Sequence, residues 1–121
     1  MPANEYGIYI RKLRKERGEN LDTMAKKMGV SISFLSALEV GTKTIPQDIA
    51  ERVGKVYELS EEQIKEIQNA IDLSNGKIQI QLEQMDDTQK DISLAFARTI
   101  NTASQKKLEE LRKLLESDDE E

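Results

Sequence analysis

Residues 21–40, LDTMAKKMGVSISFLSALEV, carry the strongest structural signal in the chain. Their apolar residues recur at the spacing of a helical face, which predicts two amphipathic helices. Gly29 lies between these helices, where a residue that adopts positive φ ends the first of them. Ala25 is small where the two helices approach each other, and Leu35 and Leu38 are apolar where the second packs on the first. The stretch therefore predicts two helices that cross steeply through a tight turn.

Helical periodicity continues on both sides of this stretch, so we expect a mainly α-helical chain. Apolar residues at helical spacing over residues 6–13 predict a first helix, which Gly18 ends. Pro46 suits the first turn of a fourth helix, because its missing N–H would have no partner there. Residues 60–63, SEEQ, form a capping box that begins a fifth helix, and the Asn-Gly pair at residues 75–76 ends it.

The five helices make up a predicted domain of residues 1–75, and residues 76–121 are predicted to add one β-strand and two helices. Ile78, Ile80 and Leu82 alternate with polar residues, which is typical of a strand with one buried face. Because a lone strand needs a partner, we expect it to pair antiparallel with the same strand of a second copy. In the alternative, these residues are an extended linker and the helices form an ordinary bundle. The first interpretation makes the extension a dimerisation region.

Two capping-box sequences, DDTQ at residues 86–89 and TASQ at residues 102–105, predict the starts of the two helices of the extension. Each helix carries an apolar stripe at helical spacing. The residues of the two stripes are Ile92, Phe96, Ile100, Leu108, Leu111 and Leu115. In a dimer, these stripes would cover one face of the shared sheet.

The composition excludes several classes of function. The chain has 121 residues, 37% of them hydrophobic and 34% charged, with neither Cys nor His. Disulfides, Cys/His metal sites, thiol nucleophiles and imidazole bases are therefore excluded, and no metal, cofactor or enzymatic activity is predicted. The sequence lacks an apolar run of about 18 residues, which excludes a membrane span. Met1–Glu5 lacks the features of a signal peptide, so we expect a cytoplasmic protein.

Charge is unevenly distributed along the chain. The formal net charge of −5 at pH 7 argues at first against a nucleic-acid partner. Residues 1–58 contain ten Lys or Arg and eight Asp or Glu, a net charge of +2, whereas residues 59–121 have a net charge of −7. Eight of the ten basic residues of the first part lie between Arg11 and Lys43. The N-terminal part therefore keeps a basic region that suits nucleic acid.

A set of residues in this region matches a known pattern. The matching residues are Ile10–Arg14, Arg17-Gly18, Met24-Ala25, Met28–Ser31, Leu35-Ser36, Leu38-Glu39 and Gly41. On these residues the chain resembles the helix-turn-helix family that includes the lambdoid phage repressors and Cro proteins, often called the XRE family. In that family the residues at the positions of Arg14 and Glu39 form a partly buried ion pair. The resemblance therefore implies a structural role for both residues.

The resemblance also implies a mode of DNA binding. The second helix of the pair, residues 31–40, would lie in the major groove with its N-terminal end nearest the bases. Five residues occupy or adjoin the base-reading positions: Ile32, Ser33, Phe34, Ser36 and Ala37. A competing interpretation assigns Ile32 or Phe34 to the core alone. None of the five is Arg, Asn or Gln, so we expect thymine-methyl contacts, Ser hydrogen bonds and DNA shape to supply specificity.

Phosphate contacts are expected around this helix. The candidates are Asn20, Lys43, Thr44, Arg11 and Arg17, with Lys26 and Lys27 adding long-range attraction. Asn20 also fits the role of a helix cap alone, and the basic residues other than Lys43 also fit a solvated surface. Where the family favours a phosphate-contacting Gln, this chain has Leu21, so that contact is not carried over.

These patterns predict a transcriptional repressor that binds double-stranded DNA as a homodimer on a short palindromic operator. An alternative is an antitoxin-like interaction protein that binds a protein partner through its C-terminal half and regulates its own operon. Resemblance to small regulators of phages and mobile elements suggests a toxin or a peptidase as that partner. A third hypothesis keeps the helix-turn-helix fold for protein contacts alone.

Overall fold

The computed structural model describes residues 2–118, and all regular structure in this range is helical. The helices are α1 (Glu5–Glu16), α2 (Leu21–Met28), α3 (Ile32–Val40), α4 (Ile49–Val56), α5 (Glu61–Asn75), α6 (Asp87–Thr99) and α7 (Gln105–Glu116). The chain divides into two compact units, an N-terminal unit of residues 1–78 and a C-terminal unit of residues 79–121. The prediction of five helices in the N-terminal part is confirmed.

The predicted β-strand at Ile78, Ile80 and Leu82 is wrong. Within residues 2–118 no segment forms a strand, and residues 77–82 have no regular structure. Ile78 and Ile80 are exposed, and Leu82 is half-buried. Alternating side chains indicate which residues would share a face, but a strand forms only where another extended segment supplies ladder hydrogen bonds. The described part of the chain contains no such segment, so the extension has two helices and no sheet.

Two of the predicted helix starts also differ. Pro46 does not begin α4; it accepts a 3.3 Å hydrogen bond from the N–H of Ile49, in a turn that precedes the helix. Thr102 does not cap α7, because Ser104 caps it and Thr102 Oγ1 donates to the carbonyl oxygen of Thr99. Both errors have one cause. Residues that fit a helix start also fit the turn just before it, so residue type alone does not choose between the two positions.

Buried side chains from all five helices of the N-terminal unit form its core. They include Tyr6, Ile10, Met24, Leu35, Leu38, Ile49, Val53, Ile67 and Ile71. Helix α5 packs on α1 and α4, whereas α3 packs mainly on α1 and α2. Helix α3 therefore buries one face, with Leu35 and Leu38, and leaves the opposite face accessible.

The start of α1 lies against the end of α3 in a backbone contact that sequence patterns did not reveal. The side chain of Asn4 accepts from the N–H of Gly7 at 2.7 Å, and its Nδ2 donates to the carbonyl oxygen of Leu38 at 2.9 Å. The backbone N–H of Asn4 donates to the carbonyl oxygen of Glu39 at 2.9 Å. A Cβ on Gly7 would overlap this Glu39 oxygen, so only glycine allows so close an approach.

Replacing Gly7 with Ala is expected to lower the free energy of unfolding by about 1–3 kcal/mol, because backbone must move to admit the methyl group. Urea denaturation measures this loss. Gly54→Ala is the matched control, since its Cβ would meet Cδ1 and Cγ1 of Ile64, the movable end of a side chain. An equal or smaller loss for Gly7→Ala than for Gly54→Ala would contradict the tight contact.

Over residues 79–118, the C-terminal unit contains two helices and no buried residue. Asp86 and Gln89 form the predicted capping box at the start of α6, with hydrogen bonds of 2.8 and 3.0 Å. Of the described residues in α6 and α7, none is buried. Their apolar side chains line an open groove instead. We call this the α6–α7 groove; it is lined by Phe96, Ile100, Leu108, Leu111 and Leu115 together with Arg112 and Glu116.

Candidate nucleic-acid interface

The turn between α2 and α3 has the geometry that the sequence predicted. Gly29 ends α2 with φ 72°, in the left-handed region that favours glycine. The N–H of Val30 donates to the carbonyl oxygen of Ala25 at 3.0 Å, which closes the turn. The side chain of Ser31 then caps α3 by accepting from the N–H of Phe34 at 3.0 Å. Gly29 therefore ends α2, and Ser31 begins α3.

The accessible face of α3 carries no charged side chain. Ile32 is 45% exposed and Ser33 is exposed, whereas Ser36 and Ala37 are half-buried. The one ionisable residue of the helix, Glu39, points into the protein and is 2% exposed. The predicted base-reading residues thus lie on or beside one accessible face near the helix N-terminus. Their contact with bases stays a prediction.

Glu39 is held by two arginines of α1. Nη1 and Nη2 of the buried Arg14 lie 2.5 and 3.0 Å from the two carboxylate oxygens, a bidentate geometry. Nε of Arg11 lies 3.2 Å from Oε1, and its side chain is 46% exposed. Burial raises the pKa of the neighbouring Tyr6 phenol, and the Glu39 carboxylate raises it further. This network ties α3 to α1 while Arg11 keeps an accessible positive charge.

Phe34 combines two of the roles that the sequence left open. It is half-buried and packs against the core, so it is more than a surface side chain. Its ring also lies beneath Lys43, whose Nζ is 5.6 Å from the ring centroid, within the range of a cation–π interaction. Thr44, the next residue, is exposed. The ammonium group of Lys43 is therefore held beside the first turns of α3.

Arg17 and Lys27 belong to a cluster around Tyr57. Cζ of Arg17 and Nζ of Lys27 lie 5.3 and 5.2 Å from the centroid of its ring. The Tyr57 hydroxyl donates to Oε1 of Glu19 at 2.7 Å, and Lys27 pairs with Oε2 of the same carboxylate. Burial raises the pKa of Tyr57, and the bonds from Lys27 and then Tyr57 lower the pKa of Glu19. The cluster gives Arg17 and Lys27 intramolecular contacts, in line with the surface interpretation of both residues.

The start of α2 is closed by Asn20. Its Oδ1 accepts from the N–H and the hydroxyl of Thr23 at 2.8 and 2.9 Å, which is the capping role expected. Leu21 is half-buried against the core, so an apolar residue suits this position. Lys26 forms an exposed ion pair with Asp22 at 3.2 Å. Of the predicted phosphate contacts, Lys43 lies against α3 through Phe34, and Arg11 lies against it through Glu39.

Comparison with known proteins supports the N-terminal assignment. Among the described residues, no helix is long and apolar enough to cross a membrane. No curated protein and no solved structure gave a significant match to the chain. The sequence model of a helix-turn-helix family matches residues 10–64, which run from within α1 into α5. Residues 10–64 therefore form a helix-turn-helix domain of the XRE, or lambda-repressor-like, family, which is a family of DNA-binding regulators.

Proposed function

We propose that the chain is a sequence-specific transcriptional repressor that binds a short palindromic operator as a homodimer. One observation carries the proposal. An accessible, uncharged face of α3 lies beside Lys43, whose ammonium group packs over Phe34 of the same helix. A face of this kind can enter the major groove, because it brings no negative charge towards the phosphates and has a cation at its edge.

In this proposal, sequence is read by short side chains. Ile32 and Ala37 contact thymine methyl groups, and Ser33 and Ser36 donate or accept hydrogen bonds at base edges. Lys43 and Thr44 contact phosphates, assisted by Arg11 and by the helix start at Asn20. The Tyr57 cluster leaves Arg17 a weaker, longer-range role. Because no bidentate base contact is available, DNA shape and the spacing of two copies supply the remaining specificity.

The missing core of the C-terminal unit supports the homodimer. Two helices of 13 and 12 residues are marginal in water unless they bury an apolar face. The α6–α7 groove offers such a face, and a second copy brings an identical one. Arg112 and Glu116, which also line the groove, pair with each other along α7, with 3.5 Å between Nε and Oε1, so neither brings an unpaired charge towards a second copy. A palindromic operator has two half-sites about one helical turn of DNA apart, and a homodimer supplies one α3 helix for each of them.

The charge distribution favours DNA binding by the N-terminal part of the chain. The net charge of −7 on residues 59–121 repels phosphates, and the basic residues of the N-terminal part attract them. DNA would therefore approach the N-terminal unit. A dimer bound across a promoter would block transcription. Such a repressor would act in the cytoplasm, because the DNA of a bacterial or phage-infected cell lies there.

The test is selection of binding sites from a pool of random duplexes by the full chain, at low and at moderate salt. We expect a two-fold symmetric sequence whose half-sites are about one helical turn apart, with affinity that falls steeply with salt. A reporter promoter that carries this sequence should be repressed when the protein is present. Absence of any enriched sequence, even at low salt, would contradict the proposal.

The same missing core also favours the antitoxin-like alternative, in which a different protein covers the α6–α7 groove. Circular dichroism and sedimentation of the purified chain separate the two. A dimer in which α6 and α7 are folded supports the repressor. A monomer whose C-terminal helices are unfolded until a defined toxin or peptidase is added would support the alternative.

A further inference from the structure

The segment that follows α3 is anchored at its first residues. Gly41 ends the helix with φ 85°, and the N–H groups of Gly41 and Thr42 both donate to the carbonyl oxygen of Ala37 at 3.1 Å. Lys43 and Thr44 follow as exposed residues. The segment, which we call the 41–45 loop, therefore leaves α3 in a fixed direction. Its far end needs an anchor of its own.

Asn75, the last residue of α5, supplies that anchor. Its Oδ1 accepts from the N–H of Ile45 at 3.0 Å, and its Nδ2 donates to the carbonyl oxygen of Ile45 at 3.0 Å. One side-chain amide thus satisfies both backbone groups of a single residue, as a neighbouring strand would. The two hydrogen bonds fix the peptide planes on both sides of Ile45. The plane before Ile45 carries the carbonyl group of Thr44.

Asn75 itself is in a rigid place. The residue four positions earlier, Ile71, is fully buried, and the N–H of Gly76 donates to the carbonyl oxygen of Asp72 at 2.9 Å. The preceding residue, Ser74, accepts from the backbone N–H of Tyr6 at 3.0 Å. The end of α5 is therefore bound to α1 and to the 41–45 loop. The position of α5 therefore determines where the far end of the 41–45 loop lies.

Burial of the Ile45 side chain does not fix the orientation of the loop. Its side chain is 2% exposed, so the core fixes where this residue lies. Rotation of the Thr44–Ile45 peptide would nevertheless redirect Thr44 and Lys43. The hydrogen bond from the Ile45 N–H to Asn75 opposes that rotation directly. The hydrogen bonds of Asn75 therefore act on the orientation of the loop more than on the packing of the core.

We propose that Asn75 is a positioning residue for DNA binding, which orients the 41–45 loop so that Lys43 and Thr44 meet the phosphate backbone. This inference rests on the proposed function, because the loop has no other assigned role. The sequence singled out residue 75 only as part of the Asn-Gly pair that ends a helix. Its partner is thirty residues away along the chain.

A double-mutant cycle on the selected duplex tests the proposal. Affinity is measured against salt for the full chain and for Asn75→Ala, Lys43→Ala and the double variant. We expect about a tenfold loss for Lys43→Ala and a salt slope lower by about one, since one charged phosphate contact is removed. Asn75→Ala should give a similar loss and a lower slope. In the double variant, the loss beyond that of Lys43→Ala should be smaller than the loss caused by Asn75→Ala alone, because both changes remove the Lys43 contact.

Two further variants distinguish a change in loop orientation from a loss of folding. Asn75→Asp retains the acceptor for the Ile45 N–H but replaces the donor with a charged oxygen that faces the Ile45 carbonyl, so it should bind DNA more weakly than the unmodified chain while remaining folded. Asn69→Ala, at an exposed Asn of the same helix, should leave affinity and salt slope unchanged. Urea denaturation confirms that each variant is folded under the conditions of binding.

The outcomes separate the two proposals. Additive losses in the double variant, or an unchanged salt slope in Asn75→Ala, would overturn the positioning role and leave the repressor proposal intact. Failure of the unmodified chain to bind any duplex would overturn the proposed function itself. A non-additive loss shared by Asn75 and Lys43 is the result that the structure leads us to expect.

Discussion

Replacing Glu39 with Gln should lower the free energy of unfolding of the N-terminal unit by about 3–5 kcal/mol. The carboxylate is buried and accepts from both Arg14 and Arg11, at 2.5 to 3.2 Å. The change keeps the shape of the side chain but leaves the buried guanidinium of Arg14 without its counter-charge. Domains of this size are stable by only about 5–15 kcal/mol, so this loss is a large fraction of the total. Urea denaturation followed by circular dichroism measures it.

Two controls test the cause of this loss. Arg11→Gln should cost less than about 1 kcal/mol, because the Arg11 side chain is half-exposed and its ion pair is screened by water. The double variant Arg14→Met with Glu39→Leu should recover most of the stability, since no unpaired charge is left inside. If Glu39→Gln cost no more than Arg11→Gln, the buried pair would not have the role assigned to it.

Replacing Leu111 with Asp should lower affinity for the palindromic site by about 10²- to 10⁴-fold. The change places a charge in the α6–α7 groove, which the dimer is proposed to close. A monomer then binds each half-site alone and loses the effective concentration that a linked second copy supplies. Sedimentation equilibrium gives the oligomeric state, and binding to the selected duplex gives the affinity.

Leu114→Asp is the matched control on the same helix. Leu114 is 73% exposed and does not line the α6–α7 groove, so the same charge there should leave both the dimer and the affinity unchanged. A dimer that persists in Leu111→Asp would show that the groove is not the dimer contact. Dissociation by both variants alike would indicate a general loss of helix in α7.

Much of the N-terminal fold could be predicted because its signals are local. Gly29 and Ser31 act on the turn in which they lie, and the capping residues of α5 act within four positions. Each demand is met by residue type alone, so it can be recognised without knowing the rest of the structure. The match over residues 10–64 falls on this part of the chain.

The predicted strand failed for the opposite reason. Alternation at Ile78, Ile80 and Leu82 is a property of one segment, whereas a strand is a property of two. A sequence pattern does not state whether the second segment exists. Of the two capping boxes predicted in the extension, the first is confirmed and the second is wrong. Asp86 meets its Gln89, but Thr102 loses the position to Ser104 two residues later.

The features that support the site are contacts between different segments of the chain. Asn75 reaches Ile45, Lys43 reaches Phe34, and the backbone of Gly7 meets that of Glu39. No periodicity links these positions, because the residues of each pair do not belong to the same helix. The accessible residues of α3 could be predicted from the family resemblance. The support that holds Lys43 beside them could not.

Contact between the accessible face of α3 and DNA can be measured directly, because the chain has no Cys. A single Cys introduced by Ser33→Cys, on α3, can carry a chelated iron that cleaves nearby DNA strands. A Cys introduced by Lys65→Cys, exposed on α5, serves as the reference position. On the selected duplex, we predict cleavage from Ser33→Cys in both half-sites, at positions about 10 base pairs apart. Cleavage from Lys65→Cys with none from Ser33→Cys would contradict the account.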